Sequence, residues 1–348
     1  MPTQAQARSY RIWLRIAGGL VLIAGLTGLG FALVTLIFPA SRTLMAESAE
    51  PPKNLKPAPI DGDRAYGYLK TVYAMGPHTA GSANNDRVRR LVADHFVKLG
   101  GKVAEQPFGG KDPISQADLK MANLVGSWFP DRAERVVLCA HYDSRPFPDE
   151  DPNPANRKVP FIGANDPASG IAMLMEIAHH LADSSTSWGV DLVLFDAEEL
   201  VHGSGPGQTG EYFLGSKHFA ATYVSDVREK NSKTRYEAAI LFDLIAGKDL
   251  NLGRDPFSME FAPKLVKDVW DVARALKVTQ FRSSYGPQVT DDHLPLNNVG
   301  IPAIDIIDFK YPYWHTADDT PENCSGASLA LVGKVVTAWL NKPKVARR

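Results

Sequence analysis

Apolar positions along the chain follow two alternating rhythms. Short, mostly apolar runs rich in β-formers occur at Ala122–Phe129, Arg135–His141, Val190–Phe195, Ala238–Ile245 and Ile301–Ile307. That is the pattern of strands buried on both faces. Between them, Ala65–Met75, Asp86–Leu99, Ile171–Ala182, Phe261–Leu276 and Leu329–Leu340 carry apolar residues at helical spacing, and a further helix follows Leu214-Gly215-Ser216. In the second helix Val88, Leu91, Val92, Phe96 and Leu99 share a face, and Gly100-Gly101 supplies its stop. Residues 146–160 are crowded with Pro, Asp and Asn and read as a loop. Strands alternating with helices predict an α/β protein: a single three-layer domain with a mixed, mostly parallel central sheet and helices on both faces.

The polar residues that interrupt this pattern gather at strand ends. The run at Val190–Phe195 leads straight into Asp196-Ala197-Glu198-Glu199, and the run at Arg135–His141 ends in His141-Tyr142-Asp143. Asp243 lies inside an apolar strand, where an unpaired ion would cost several kcal/mol and so calls for a cation or several donors. Asp166 lies on a turn entering a helix, and His315 follows the last strand. Open α/β sheets place their ligands at the carboxyl ends of strands. Carboxylates and imidazoles without a thiolate are what Zn²⁺ takes in an open catalytic site. Neighbouring residues on an extended chain point to opposite sides, so Glu198 and Glu199 can divide proton handling from metal binding. His179 and His180 read as polar-face residues of their helix.

Composition narrows the function further. Lys plus Arg (38) balances Asp plus Glu (39), which leaves no polyanion-binding footprint and argues against nucleic acid. Residues 16–38 form a charge-free apolar run long enough to span about 30 Å of hydrocarbon and too long for a signal-peptide core. Arg8, Arg11 and Arg15 precede it, so the positive-inside rule puts residues 1–15 in the cytoplasm and the remainder outside. The predicted organisation is a single-pass anchor at 16–38, a Pro-rich linker at 39–63, a catalytic domain at 64–341 and a basic tail at 342–348. Two cysteines, Cys139 and Cys324, make neither a disulfide framework nor a Cys-rich zinc site.

The series His141-Tyr142-Asp143, Gly163-Ala164-Asn165-Asp166, Glu198-Glu199, Gly215-Ser216, Asp243, Asp291-Asp292-His293, Gly300-Ile301-Pro302 and Trp314-His315-Thr316 resembles the zinc aminopeptidase superfamily that includes the glutaminyl cyclases. In the dinuclear aminopeptidases the resemblance implies Asp166 as bridging ligand, His141 and Asp243 on one zinc, and Glu199 and His315 on the other. Glu198 would be the base that activates water. In the cyclases it implies one zinc on Asp166, Glu199 and His315, with Glu198 shuttling a proton and Asp243 and Asp291 forming a carboxylate network.

Trp314, which in cyclases lines the substrate pocket, favours that branch. So do the long segment between Glu199 and Gly215 and the run Asp291-Asp292-His293-Leu294-Pro295. Four features depart from it. The segment 200–213 holds no Trp, Asp166-Pro167-Ala168-Ser169-Gly170 is closer to the aminopeptidase form, Asp305 stands where animal cyclases have His, and Cys139 has no nearby partner. Two activities follow: an acyltransferase that cyclises N-terminal Gln with loss of ammonia on one zinc, or a hydrolase that removes the first residue on two. Both take peptides with a free amino end.

Overall fold

The computed structural model describes residues 54–203 and 207–342. The apolar run at 16–38, the basic tail from 343 and most of the linker lie outside them. No helix among the described residues is long and apolar enough to cross a membrane.

The chain proceeds through α1 (Gly62–Tyr73), α2 (Ala83–Lys98), β1 (Lys102–Lys111), β2 (Asp118–Trp128), β3 (Glu134–His141), α3 (Ala168–Leu181) and β4 (Gly189–Phe195). A small hairpin, β5 (Val201–His202) with β6 (Thr209–Gly210), precedes α4 (Leu214–Arg228) and β7 (Arg235–Asp243). Then come β8 (Leu252–Arg254), α5 (Pro256–Phe261), α6 (Pro263–Ala275), β9 (Phe281–Tyr285), α7 (His293–Asn298), β10 (Ala303–Ile307) and α8 (Gly326–Leu340). The main sheet among the described residues runs β1-β2-β4-β3-β7-β10. β4, β3, β7 and β10 are mutually parallel, while β1 and β2 join antiparallel. The mixed three-layer plan is thus as the hydrophobic pattern predicts.

Alternation along the central strands explains why both faces are covered. Val136, Leu138, Ala140, Leu192 and Leu194 share one core with α1, α3 and α8, whereas Val137, Cys139, Val193, Phe195 and Leu241 share another with Phe219 of α4 and Leu296 of α7. Helix α3 packs so tightly that a Cβ on Gly170 would lie 2.6 Å from Ala140 Cβ and 2.6 Å from the Phe242 carbonyl oxygen. Because the four central strands are parallel and in register, with His141 opposite Phe195, they end at one rim. That rim receives the polar strand ends.

The structure adds two elements and corrects one expectation. The helix expected over 261–276 is found as α6 (Pro263–Ala275); a short α5 (Pro256–Phe261) precedes it, and Pro263, which lacks an N–H, separates the two with Ala262 out of helical geometry (φ −133°). Strand β1 carries no hydrophobic signature: it lies at the edge of the sheet, mostly polar, and tolerates Pro107 opposite Ala122. The described end of the linker is no free tether. The Ala58 amide donates to Thr337 Oγ1, and Asp61, which caps α1, donates its own amide to the buried Glu176 carboxylate. Arg64 adds two bonds to Glu176 at 2.7 and 2.8 Å. His180 hydrogen-bonds Glu176 and His179 meets Tyr68, so both serve the polar face of α3 as expected.

Candidate metal centre

Three loops are built onto the rim. Beyond β3, the Asp143 carboxylate accepts the amides of both Glu198 (2.9 Å) and Glu199 (3.0 Å), fixing the turn that follows β4. That turn includes Ala197 at φ 56°, a left-handed conformation costly for a residue with a Cβ. At the start of α3, the buried Asp319 carboxylate accepts the amides of Asn165 (2.9 Å) and Asp166 (3.1 Å). His315, also left-handed (φ 52°), is tied by its carbonyl to the amide of Glu150 at 3.1 Å.

The rim brings together six of the side chains singled out by sequence. His315 Nε2 lies 2.8 Å from Glu199 Oε1 and 3.4 Å from Asp166 Oδ2. His141 Nε2 lies 3.1 Å from Asp166 Oδ1 and 3.6 Å from Asp243 Oδ1, and its Nδ1 is 3.9 Å from Glu198 Oε2. The Asp143 carbonyl oxygen can only accept, so His141 Nδ1, 3.1 Å away, carries the hydrogen and Nε2 is left to face the carboxylates. Two trios with metal-binding spacing share Asp166: Asp166, Glu199 and His315, and His141, Asp166 and Asp243. A third joins His141 to Glu198 and Glu199.

The electrostatics of the cluster favour a bound cation. His315 and Asp166 are buried, as are His141 and Glu199. Burial works to lower the pKa of His315, yet Glu199, Asp149 and Asp166 around it outweigh burial and raise it well above the usual imidazole value. His141 is raised in the same way by Asp143, Asp166 and Asp243. Glu198 is pushed well up, by burial first and then by Glu199, Asp291 and Asp292, against the pull of His141. Glu199 Oε2 is buried with no hydrogen-bond partner among the described residues. Oxygen and imidazole donors converging in a buried, carboxylate-rich rim match what Zn²⁺ accepts.

Asp291 sits behind this group, pushed up to about 7 by burial and by the nearby Asp243. Asp305 stands next to it, raised well above the carboxylate range by burial and by Asp291. Trp314 stacks on the His315 ring (centroids 3.9 Å, 25° between planes) and leans on Phe309 at 4.8 Å.

Sequence reasoning missed Asp149, Arg145 and Asp319. Asp149 Oδ1 lies 3.3 Å from His315 Nδ1, and Arg145 Nη1 lies 3.3 Å from Glu199 Oε1. The signal was faint: charged residues in loops look solvated, and only their tertiary contacts reveal their use.

The sequence profile of Peptidase family M28 matches residues 123–340. The bovine (Bos taurus) glutaminyl-peptide cyclotransferase is 25% identical over 282 residues, covering 73% of this chain and 73% of its own. The crystal structure of Fimbriiglobus ruber glutaminyl cyclase superimposes with a TM-score of 0.80 at 37% identity, over 85% of this chain and all (100%) of that one. A Zn-dependent exopeptidase from Parabacteroides distasonis superimposes with a TM-score of 0.74 at 30% identity, over 82% of this chain and 100% of its own.

Proposed function

This chain belongs to Peptidase family M28, and we propose that it is a zinc-dependent glutaminyl-peptide cyclotransferase. In this reading it converts the N-terminal Gln of a peptide to pyroglutamate and releases ammonia. One ion would be held by Asp166, Glu199 and His315, one of three trios whose donor atoms lie within 4.8 Å of one another. When bound, zinc supplies Lewis acidity toward the γ-carboxamide oxygen. His141 and Asp243 then serve to orient Asp166 and Glu198.

The substrate's own α-amine is the nucleophile, and tethering to the carbonyl it attacks removes most of the entropic cost. A new bond forms between the α-nitrogen and the side-chain carbonyl carbon, and the bond to the amide nitrogen breaks. Glu198 takes the α-amine proton on its carboxylate and delivers it to the departing nitrogen, so ammonia leaves neutral. Burial and the acids around it raise the proton affinity of Glu198, which suits a group that must accept a proton and return it. The Asp143 carboxylate holds Glu198 in place through its backbone amide. Asp243, partly buried, and the buried Asp291 and Asp305 form a carboxyl series behind it.

The observation that carries the cyclase reading over its alternative is Trp314, packed flat on His315. It sets an indole at the edge of the ligand trio, an apolar wall suited to a Gln side chain and to the lactam it becomes. The alternative, an aminopeptidase, draws on the second trio of His141, Asp166 and Asp243 for a second ion. Incubating the zinc-loaded protein with a Gln-peptide and with leucine p-nitroanilide separates the two. Ammonia and a blocked N-terminus support cyclisation, whereas released dye with an intact Gln-peptide overturns it. The charge-free run at 16–38 further supports a single-pass anchor with the domain outside the cytoplasm. Recovery of the full chain in the soluble fraction without detergent would refute that placement.

A further inference from the structure

Arg145 is buried in a rim otherwise dominated by acids, with its side chain 5% exposed. Its Nε and Nη2 each donate to one oxygen of Asp149 at 2.7 Å, a two-pronged pairing. Its Nη1 reaches Glu199 Oε1 at 3.3 Å, and the Tyr212 hydroxyl lies 3.5 Å from both terminal nitrogens. Asp149 in turn presents Oδ1 to His315 Nδ1 at 3.3 Å, and His315 Nε2 closes the ring on Glu199 Oε1 at 2.8 Å. Four side chains thus form a closed circuit in which two are ligands of the proposed ion and two are not.

Each contact has a consequence for metal binding. An acceptor at Nδ1 keeps the hydrogen there and leaves the Nε2 lone pair for the ion. Asp149 can play that part only while ionised and fixed, and buried carboxylates are costly unless paired. The Arg145 fork supplies both charge and geometry. By engaging Glu199 on Oε1, Arg145 also leaves Oε2, which has no other partner among the described residues, for the ion. A lysine could neutralise one carboxylate but not bridge two in a plane.

We propose that Arg145 and Asp149 are a coupled pair of positioning residues that orient His315 and Glu199 for metal binding and thereby set the affinity of the site. The proposal rests on the zinc reading above and deepens it. Zinc affinity of the full chain, measured by chelator competition, is the first readout, and the visible spectrum of the Co²⁺-substituted protein is the second. D149A and R145Q should each weaken zinc binding about 10–100-fold, the scale for partners that orient a ligand, and should alter the Co²⁺ spectrum. R145K should fail to restore affinity, and the double variant R145Q/D149A should be little worse than the poorer single.

Parental affinity and an unchanged Co²⁺ spectrum in D149A and R145Q would overturn the proposal. Full rescue by R145K would overturn the bridging geometry. Should R145Q fail to fold, D149A, which leaves Arg145 on Glu199, and R145K decide by the same readouts. A parent that binds no zinc would instead sink the functional reading itself, whereas a parent that binds zinc and cyclises Gln-peptides beside unaffected variants sinks only this pair.

Discussion

Replacing Asp143 by Asn changes one atom and tests how the rim is built. The Asp143 carboxylate is fully buried and accepts two consecutive amides, Glu198 N at 2.9 Å and Glu199 N at 3.0 Å. Asn can present its carbonyl oxygen to only one of them, and its NH₂ then faces the other N–H, donor against donor. The surviving bond loses its charge assistance, worth roughly 1 kcal/mol, and the second amide is left buried and unpaired at about 1–3 kcal/mol. The sum is about 2–4 kcal/mol. The turn it anchors already holds Ala197 in a left-handed conformation, so it has little reason to stay in place unaided. A domain of ordinary stability, about 5–15 kcal/mol, survives that loss. D143N should therefore fold, with its denaturant midpoint lowered by the equivalent of about 2–4 kcal/mol, and both zinc affinity and turnover should fall because Glu198 and Glu199 lose the same anchor. A D143N protein whose unfolding free energy and zinc affinity match the parent would refute this account of the turn.

Other consequences can be checked alongside. Glu198→Gln should retain its zinc, since Glu199 and not Glu198 is the proposed ligand, while turnover falls about 10²–10⁴-fold; metal analysis beside a turnover assay decides it. Stripping the ion with a chelator leaves Asp166, Glu199 and two imidazoles buried beside the partly buried Asp243, with no metal ion among them. The thermal midpoint should drop and return on adding zinc, by about 4 kcal/mol at a thousandfold excess over Kd. Far from the site, burial tends to raise Glu176, but hydrogen bonds from His180, Arg64 and the Asp61 amide outweigh it and hold its pKa at about 2, against an ordinary 4.5. A folded pKa below the unfolded one gives stability that is full above about 4.5 and lost as pH falls toward about 2, at most about 3 kcal/mol. Urea titrations should show E176Q less stable than the parent at neutral pH, with the gap closing in acid.

The fold was legible in sequence where burial is complete. β3 and β4 are apolar on both faces, so their runs announce themselves, and their polar ends mark the rim. β1 was invisible because an edge strand needs neither hydrophobic continuity nor freedom from Pro and Gly. The helix read over 261–276 was legible in its body and shifted only at its start: α6 begins at Pro263, a residue suited to the first helical position. Within the site, the residues at strand ends could be picked out because charge beside a buried run is conspicuous. Arg145, Asp149 and Asp319 could not, since each sits among other polar loop residues and only tertiary contacts bury Arg145 and Asp319 and partly bury Asp149. Ligands are visible in sequence by their type; the residues that hold them are visible only by where the chain folds back.

Anomalous diffraction at the zinc edge from crystals of the zinc-loaded protein tests the central claim most directly. The account predicts a single strong peak bounded by Asp166, Glu199 and His315. A comparable second peak among His141, Asp166 and Asp243 would contradict the one-ion cyclase reading, and a rim without any peak would contradict the metal centre itself.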